Sequence, residues 1–390
     1  MNAKKLSERN TEVQQGSLPW AAPVSRRRML QGAAGLAGGL LLAGCGSVSP
    51  QNGSSSKSPG SGRSRGKVKL TMFVFLGGDL EVMPRAFAKE YESSHPNVSI
   101  DIYAQSNSVG YPKMLAQKKT DPSNPLVNLG FFNAQTTEQG KNDGMWKKLD
   151  YSQLSNVADI RDQFKKPDQV GIGISADQLG LLYNKDRIKG TLSSWSDLWD
   201  PRFRGQVTFF EWPWWVVFEA AKANGGDLNN LEPGWKVWEN HADQIRAMVT
   251  SNPQYLNVLS NGTAPLTSYF NGTGVQWIRG GAPLTYVPPK EGAVPVPVYL
   301  QTVAGSTQQQ LEVAHDMINE MLSPKWCTRW ATTTVSTPAN VKSKLPPKLA
   351  RLPAFSTKTI ENFQTVDYGV VGKKNVAWQQ RWDQDVESKI

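Results

Sequence analysis

The side chains most able to do chemistry in this chain are acids, amides and aromatic rings in segments that follow strand-like runs. The candidates for ligand contact are Asp79, Gln135, Asp177, Glu211, Trp212, Tyr269 and Tyr299. Open α/β sheets place their binding sites in loops at the ends of strands. Carboxylates hold an organic cation through charge-assisted hydrogen bonds, and aromatic faces attract it by cation–π interaction. This set therefore predicts a site for a small organic cation.

Three of these candidates raise the question of a structural role. Asp79 precedes a helical pattern and is as well placed to cap that helix as to contact a ligand. Trp212 belongs to a Trp-rich segment, 212–215, at a predicted helix start, where such clusters more often pack a lobe than stack on a ligand. Glu211 lies between Phe210 and Trp212 without a solvent-face pattern to explain it, which favours a place in a cleft.

Signatures of catalysis and metal binding are missing from the sequence. It contains no His-Glu-x-x-His pattern and no Gly-x-Ser-x-Gly nucleophile elbow, since the one match to that pattern, at 62–66, lies in a Ser/Gly/Arg-rich stretch without a strand or helix pattern. Its three histidines match no metal spacing. Cys327 is predicted to be a small buried residue on a helix and not a nucleophile. A hydrolase that uses two facing carboxylates stays open as an alternative. We therefore expect a binding protein, not an enzyme, without a metal or a cofactor.

The N-terminal segment predicts export. Arg26 and Arg27 stand before an apolar, glycine-rich run at 29–44. A positive stretch, an apolar run of this length and small residues at its end describe a signal peptide. The run is too short and too rich in glycine for a good membrane-spanning helix.

The order of residues in this segment resembles a twin-arginine signal joined to a lipoprotein box. Met29 and Gln31 depart from that pattern, which usually has Phe and Lys there. The resemblance implies that residues 1–44 are removed and that Cys45 receives a lipid, which attaches the protein to a membrane. Residues 45–67 carry almost no large apolar side chain, so we expect a disordered tether.

Length and charge bound the class of protein. The chain of 390 residues has a formal charge of +10, but it has no Lys/Arg cluster with interleaved aromatic residues. A nucleic-acid partner is therefore not expected. The chain beyond the signal exceeds the roughly 250 to 300 residues at which single cores divide, which predicts two lobes.

Hydrophobic periodicity predicts an α/β protein with largely parallel sheets. The opening reads as a β-α-β unit, with a strand at 68–75, a helix at 80–93 and a strand at 98–102. Further strands are predicted at 178–183, 205–210, 266–270 and 282–287, and further helices at 137–148, 214–224 and 311–322.

Three segments carry a resemblance to a known family. They are LLYNKD at 181–186, SWSDLWDPRFRGQV at 194–207 and PKEGA at 289–293. In this order and at these intervals they resemble the solute-binding proteins of ABC importers, in the family of polyamine, iron(III), thiamine and phosphonate binders. The segments themselves are expected to maintain the fold without touching ligand, with Ser193 or Ser194 as the cap of a short helix.

The resemblance implies a type 2 periplasmic-binding-protein fold, in which two α/β lobes hinge shut on a ligand. Lobe 1 is placed at 68–172 plus 294–345, lobe 2 at 173–293, and a C-terminal helical tail that packs across the lobes at 346–390. The resemblance also implies a monomer in the periplasm or another extracytoplasmic location. It would deliver a small-molecule solute to an ABC permease and its ATPase.

The identity of the ligand stays open. A polyamine-like or other organic cation leads because of the acids and aromatic rings. Polyamine binders place an Asp a few residues after the Lys-Glu-Gly turn, however, and Val298 occupies that position here. A buried diammonium site that lacks one acid leaves a charge poorly paired.

Other ligands would need different side chains. Iron(III) would require a tyrosine pair, and an anion would require Arg, Lys or helix N-termini. The alternatives are an anion such as a phosphonate, thiamine, a metal chelate or, less favoured, an exported hydrolase.

Overall fold

The computed structural model describes residues 67–77, 79–211 and 213–390. The strands in chain order are Val68–Phe75 (β1), Val98–Gln105 (β2), Leu129–Asn133 (β3), Trp146–Lys147 (β4), Ile172–Asn184 (β5), Val207–Phe210 (β6), Ile245–Val249 (β7), Leu266–Phe270 (β8), Leu284–Val287 (β9), Val294–Val303 (β10) and Thr337–Pro338 (β11). The helices are Asp79–Ser94 (α1), Asn107–Thr120 (α2), Ala134–Asn142 (α3), Trp214–Ala223 (α4), Glu232–Asn240 (α5), Asn252–Asn261 (α6), Asn271–Arg279 (α7), Gln308–Met321 (α8), Pro324–Thr334 (α9), Pro347–Ala350 (α10), Thr357–Glu361 (α11) and Tyr368–Asp385 (α12).

Several predictions concern residues outside the described ranges. They are the export signal with Arg26 and Arg27, the lipidation site Cys45, the tether up to residue 66, and Trp212. Within the described ranges, no helix combines the length and the apolar character needed to cross a membrane.

The predicted β-α-β unit is confirmed. β1 and β2 pair in parallel, beginning with Val68 opposite Val98, and β3 pairs in parallel with the other edge of β1. α1 connects β1 to β2 and buries Met83, Phe87 and Tyr91 at the helical spacing that the sequence shows. Asp79 is the first residue of α1 and lies within its acidic first turn.

Two antiparallel strands, β5 and β10, connect the two halves of the sheet. The strand order is β2-β1-β3-β10-β5-β8-β6-β7. β10 pairs with β3 through residues 298–302, and β5 pairs with β8 through residues 179–183. β5 and β10 also pair with each other along most of the length of β10. These two strands are therefore the backbone that the two halves share.

The hydrophobic interior forms two clusters. Core 1 surrounds β1, β2, β3, α1, α8 and α9, and core 2 surrounds β6, β8, α4, α5 and α12. Along β5 the change falls between Ala176 in core 1 and Leu179 in core 2. Along β10 it falls between Val294 in core 2 and Leu300 in core 1. We refer to the parts built on these cores as lobe 1 and lobe 2; the residue boundaries predicted for the lobes stay predictions.

Two of the predicted contact residues, Asp177 and Tyr299, lie inside the connecting strands and not in loops at strand ends. Residues 175–178 belong to β5, and residues 297–299 belong to β10. The prolines of β10 obscure the strand pattern, because proline cannot donate a ladder hydrogen bond. Pro295 and Pro297 are tolerated because β10 pairs with β3 only from Val298 onward, so β10 has one described strand neighbour, β5, at the prolines.

In place of the helix predicted at 137–148, the structure has a shorter helix that begins earlier. It is α3, Ala134–Asn142, and Asn133 caps it by accepting a hydrogen bond from the backbone N–H of Thr136 at 2.8 Å. Asn is among the strongest N-cap residues, which explains why the helix begins here. The chain then turns at Gly144, where φ is +60°, and β4 follows where the helix was expected to continue.

The C-terminal segment reaches elements of both lobes. Trp378 and Trp382 of α12 are buried in core 2, and α12 also packs against α3, whose N-terminal turn faces the cleft. At the start of α12, the Tyr368 hydroxyl donates a hydrogen bond to the carbonyl of Pro295 in β10 at 2.6 Å. The tail therefore lies against a connecting strand as well as against both lobes.

Two of the family-like segments bind each other. The carboxylate of Glu291 accepts hydrogen bonds from the Ser194 hydroxyl and from the backbone N–H of Trp195. The Trp195 indole N–H donates to the carbonyl of Gly292 at 3.0 Å. Ser194 caps the short helix Trp195–Trp199, as predicted. The tail joins this cluster, because Gln364 donates its side-chain N–H to the carbonyl of Glu291.

We predict that Gly292→Ala destabilises the protein. Gly292 has φ +106°, and a Cβ atom there would overlap the carbonyl oxygen of Asn362 in the tail. Left-handed backbone strain costs about 1–3 kcal/mol, and the overlap adds to it. Urea unfolding should show a free energy of unfolding lowered by about 2–4 kcal/mol.

Gly190→Ala is the matched control for this change. Gly190 has φ +89°, but a Cβ atom there would meet no described atom within 4 Å. It therefore measures the backbone strain alone. Equal stability of the two variants would show that the contact between the Lys290–Gly292 turn and the tail contributes nothing.

Candidate functional site

A cavity of about 360 Å³ lies between elements of lobe 1 and lobe 2, which is within the size range of small-molecule sites. Its lining residues are Asn107, Ser108, Tyr111, Pro112, Asn133, Ala134, Gln135, Thr136, Gln139, Leu179, Phe210, Glu211, Trp214, Trp215, Tyr269, Phe270, Val296, Tyr368, Asn375 and Gln379. They come from the first turns of α2 and α3, the ends of β6 and β8, the start of α4, the two connecting strands and α12. Each lobe therefore supplies one wall of the cavity.

The lobe 1 wall consists of two helix N-termini. α2 begins at Asn107 and α3 begins at Ala134, each directly after a strand of the parallel sheet or close to its end. The capping of the two helices differs: Asn133 bonds to the first turn of α3, whereas the Ser106 side chain makes no cap bond to α2. The first backbone N–H groups of a helix have no intrahelical partner, so α2 offers free donors at the cavity.

Asn107 is a functional candidate that the sequence did not reveal. It is 3% exposed, and neither atom of its side-chain amide has a hydrogen-bond partner among the described residues. An unpaired buried polar group costs about 1–3 kcal/mol. α2 itself was missed because Gly110 and Pro112 interrupt its helical pattern. The usable signal was the position of Asn107 shortly after β2, the second strand of the predicted β-α-β unit.

Glu211 is the acid that lines the cavity among the described residues. It follows β6, and its backbone N–H donates to the carbonyl of Val249 in β7 at 2.8 Å. Its φ of +45° lies in the left-handed region, which is uncommon for a residue other than glycine. Burial raises the pKa of its carboxyl group, with no described cation beside it to oppose the effect. A cationic ligand would supply that missing partner.

Aromatic rings form the rest of the lobe 2 wall. The Tyr269 hydroxyl donates to Asn252 Oδ1 at 2.8 Å, and its ring stacks on Trp277 with centroids 5.6 Å apart. The Trp215 indole N–H donates to the Ser268 hydroxyl at 2.9 Å. Because these polar atoms already have partners, the rings offer their apolar surfaces and π-electrons to a ligand.

The structure brings three of the seven predicted contact residues together in the cavity: Gln135, Glu211 and Tyr269. Asp79 lies elsewhere, exposed, where its carboxylate accepts a hydrogen bond from Gln276 of α7 at 3.2 Å. Tyr299 lies within β10 with its ring 5.4 Å from the Lys166 ammonium group. The ligand-binding roles themselves stay predictions.

Asp177 lies in β5 and not in the cavity lining. Its Oδ1 accepts hydrogen bonds from the backbone N–H groups of Gln178 at 2.7 Å and of Gly272 at 3.1 Å. Gly272 is in the first turn of α7, so Asp177 attaches a connecting strand to a helix of lobe 2. Burial raises its pKa to about 7 in spite of these hydrogen bonds. We assign it a positional role beside the lobe junction.

The prediction for Cys327 has a clear outcome. Cys327 is a free thiol, fully buried in α9, which confirms its assignment as a small core residue. Nowhere in the described ranges do three or more His, Cys, Asp or Glu side chains come together in a way that could hold a metal ion.

Comparison with known proteins identifies relatives in one class. Residues 124–359 match the family model of the bacterial extracellular solute-binding proteins. The chain is 25% identical over 233 residues to the spermidine/putrescine-binding periplasmic protein of Escherichia coli strain K12. The corresponding protein of Salmonella typhimurium is 24% identical. The alignments cover 56% of this chain and 64% of each relative, less than two thirds of their length.

Solved structures share the fold. An ABC transporter protein from Clostridium perfringens has a TM-score of 0.71 at 19% identity, covering 82% of this chain and 100% of that chain. A spermidine/putrescine ABC transporter substrate-binding protein from Streptococcus pneumoniae has a TM-score of 0.68 at 17% identity, covering 82% and 98%. The predicted α/β fold of the two-lobed periplasmic-binding-protein type is confirmed.

We expect Asp177→Asn to remove a pH dependence of stability. The pKa of Asp177 rises from 3.8 in the unfolded chain to about 7 in the fold. Between these values the folded state binds more protons, so its contribution to the free energy of unfolding falls as pH rises from about 4 to about 7. One proton gives a slope of at most about 1.4 kcal/mol per pH unit. Asn cannot titrate but keeps the oxygen that accepts from Gly272.

Urea unfolding at a series of pH values tests this expectation. The control is Asp186→Asn, which removes the same charge from an exposed position. It should leave the slope of the natural chain unchanged. If Asp177→Asn retains that slope as well, Asp177 is not the group that titrates.

Proposed function

The chain belongs to the bacterial extracellular solute-binding proteins, and from this membership we propose that it captures a small organic cation and delivers it to an ABC importer. The observation that carries the proposal is the cavity between the lobes, with a partly buried acid on one wall. Relatives named for spermidine and putrescine binding support a cationic solute. The transport role follows from the family, and the class of solute follows from the cavity.

Lobe closure is the mechanism that this architecture favours. β5 and β10 run from one core into the other, and Leu179 and Val296 on these strands form part of the cavity lining. A hinge in paired strands lets the lobes rotate while the sheet stays hydrogen-bonded. A ligand shifts the protein toward the closed form only if it binds that form more tightly. Contacts from both walls supply such a difference.

The cation is assigned to Glu211 and the surrounding rings. An ammonium group beside Glu211 would pair with the carboxylate in a partly water-free site, where charge-assisted hydrogen bonds are strong. Trp214 and Tyr269 would add cation–π attraction. The described lining contains one acid, so a ligand with a single cationic group fits it better than a diamine, whose second charge would be poorly paired.

The other ligand classes and the hydrolase fit less well. The described lining contains no Lys or Arg side chain for a phosphonate dianion or an anionic chelate. A hydrolase of the two-carboxylate type would need a second acid facing Glu211. Family members act in binding and transport, so we propose a non-catalytic role that needs no cofactor.

The location and partners complete the proposal. We place the protein outside the cytoplasmic membrane, as a monomer held by lipid at Cys45 through the tether at 45–67. Stable anchoring to a membrane through one residue can require more than one acyl chain. The partners would be a permease and an ATPase. The lobe boundaries predicted from the sequence, with the tail at 346–390, stay part of the proposal.

We predict that Glu211→Gln weakens binding of a cationic ligand by about tenfold or more, equal to about 1.4 kcal/mol. The amide keeps the shape of the side chain but cannot neutralise the ligand charge. Thermal shift and calorimetry with amines, thiamine and a ferric chelate would measure the effect, since a ligand that binds only the folded state raises the melting temperature.

Asp186→Asn, an exposed change of equal charge outside the cavity, is the control and should leave affinity unaltered. For the natural chain, affinity for the cation should fall as pH is lowered through the raised pKa of Glu211, and Glu211→Gln should lose that dependence. Unchanged affinity in Glu211→Gln would remove Glu211 from the site. Stabilisation by anions alone would contradict the organic-cation proposal.

A further inference from the structure

The two walls of the cavity have opposite electrostatic character. Lobe 2 supplies the carboxylate of Glu211, whereas lobe 1 supplies the N-termini of α2 and α3. A helix N-terminus is equivalent to roughly half a positive charge, so two of them together can offset about one negative charge. Both helices are long enough for this effect, with 14 and 9 residues.

The lobe 1 wall contains a buried side chain, Asn107, that lacks hydrogen-bond partners. Its amide is buried at the start of α2 and lines the cavity, and both its donor and its acceptor are unpaired among the described residues. The amides of Gln244 and Gln301 are also buried and unpaired, but neither lines the cavity, so Asn107 is the buried amide of the described cavity lining whose donor and acceptor are both unpaired. A buried amide that the fold does not satisfy is available to a ligand group.

A helix N-terminus with a free amide donor is suited to a carboxylate. Backbone N–H groups of a first turn point outward along the helix axis and bind anions. The Ser106 side chain leaves the first turn of α2 uncapped, so those donors have no side-chain acceptor. The amide nitrogen of Asn107 adds a further donor, and its oxygen can accept from a hydroxyl or N–H group of the ligand.

We infer that the ligand is a small zwitterion, with its ammonium group at Glu211 and its carboxylate at the N-termini of α2 and α3 beside Asn107. The inference rests on the proposed function, because it adds an anionic end to the cation that Glu211 binds. Such a ligand contacts both lobes through opposite charges. The chemical class is that of amino acids whose ammonium and carboxylate groups are separated by a short apolar chain, which the aromatic wall would cover.

A matched series of four-carbon compounds tests the class directly. γ-Aminobutyrate carries both charges, butylamine only the cation, butyrate only the anion, and putrescine two cations. β-Alanine and δ-aminovalerate vary the distance between the charges. Calorimetry on the natural chain should show the best zwitterion binding at least about tenfold more tightly than the amine or the carboxylate alone.

The outcomes separate the two proposals. If butylamine or putrescine binds as tightly as every zwitterion, the inference is overturned while the organic-cation proposal stands. If none of the zwitterions, butylamine, putrescine or a larger polyamine such as spermidine binds, the proposed function is overturned together with the inference. Tight binding of butyrate alone would contradict a cationic group in the ligand. It would support only the carboxylate contact with the N-termini of α2 and α3.

A charge change at Asn107 gives a second test. Asn107→Asp replaces the amide by a near-isosteric carboxylate, which repels the ligand carboxylate but attracts a second ammonium group. We expect affinity for the zwitterion to fall by about tenfold or more and affinity for putrescine to rise. Equal affinity of Asn107→Asp and the natural chain for the zwitterion would contradict the inference.

Two further variants control for folding and charge. Asn229→Asp makes the same change at an exposed position outside the cavity and should leave both affinities unchanged. Asn107→Ala removes an amide that the fold does not pair, so the ligand-free melting temperature should not fall, while zwitterion affinity should. A lower melting temperature with unchanged affinity would show that Asn107 is structural.

Discussion

The antiparallel pairing of β5 with β10 is the constraint on which the rest of the structure depends. Each strand contributes apolar side chains to both cores, so the two lobes are linked by a hydrogen-bonded sheet instead of flexible loops. The register of this pair decides which side chains reach each core, because a shift by one residue would exchange the two faces of a strand. It also places Leu179 and Val296 in the cavity lining. The proposed hinge and the cavity therefore share the same backbone.

The Lys290–Gly292 turn extends this constraint to the lobe 2 surface and the tail. It connects β9 to β10, and Glu291 is held by Ser194 and Trp195. The close approach of the tail at Gly292 leaves no room for a side chain. Two of the segments that resemble the family in sequence are thus in contact with each other, and none of the three contributes to the described cavity lining. The contact fixes the direction in which β10 leaves lobe 2.

The sequence predicted the elements in which local pattern and final environment agree. β1, α1 and β2 have regular periodicity and pack with their apolar faces inward. α2 could not be predicted because Gly110 and Pro112 weaken its pattern, although tertiary packing overrides that weakness. Gly110 itself lies so close to the Phe73 ring that a larger residue would not fit. Missing α2 also meant missing Asn107.

The predicted acids show a related limit. Asp177 reads as a loop residue because an acid interrupts an apolar run, yet it lies in a long strand where backbone N–H groups of β5 and α7 satisfy it. Asp79 and Glu211 follow strands in the same way in the sequence, and only three-dimensional packing separates them: one is exposed, the other is partly buried in the cavity. The sequence could point to acids and aromatic rings near the ends of strands, but not to the side chains that meet at the cavity.

The cavity retains unfavourable groups on both of its walls in the free protein. Asn107 on lobe 1 has an unpaired buried amide, and Glu211 on lobe 2 has a left-handed backbone and a carboxyl whose pKa is raised by burial. Local violations of this kind are expected at functional sites. A ligand that pairs with one of them stabilises only that lobe, equally in the open and closed forms. In the proposed closure, a ligand that reaches both walls gains its second contact only in the closed form, and that difference in affinity would drive the lobes together.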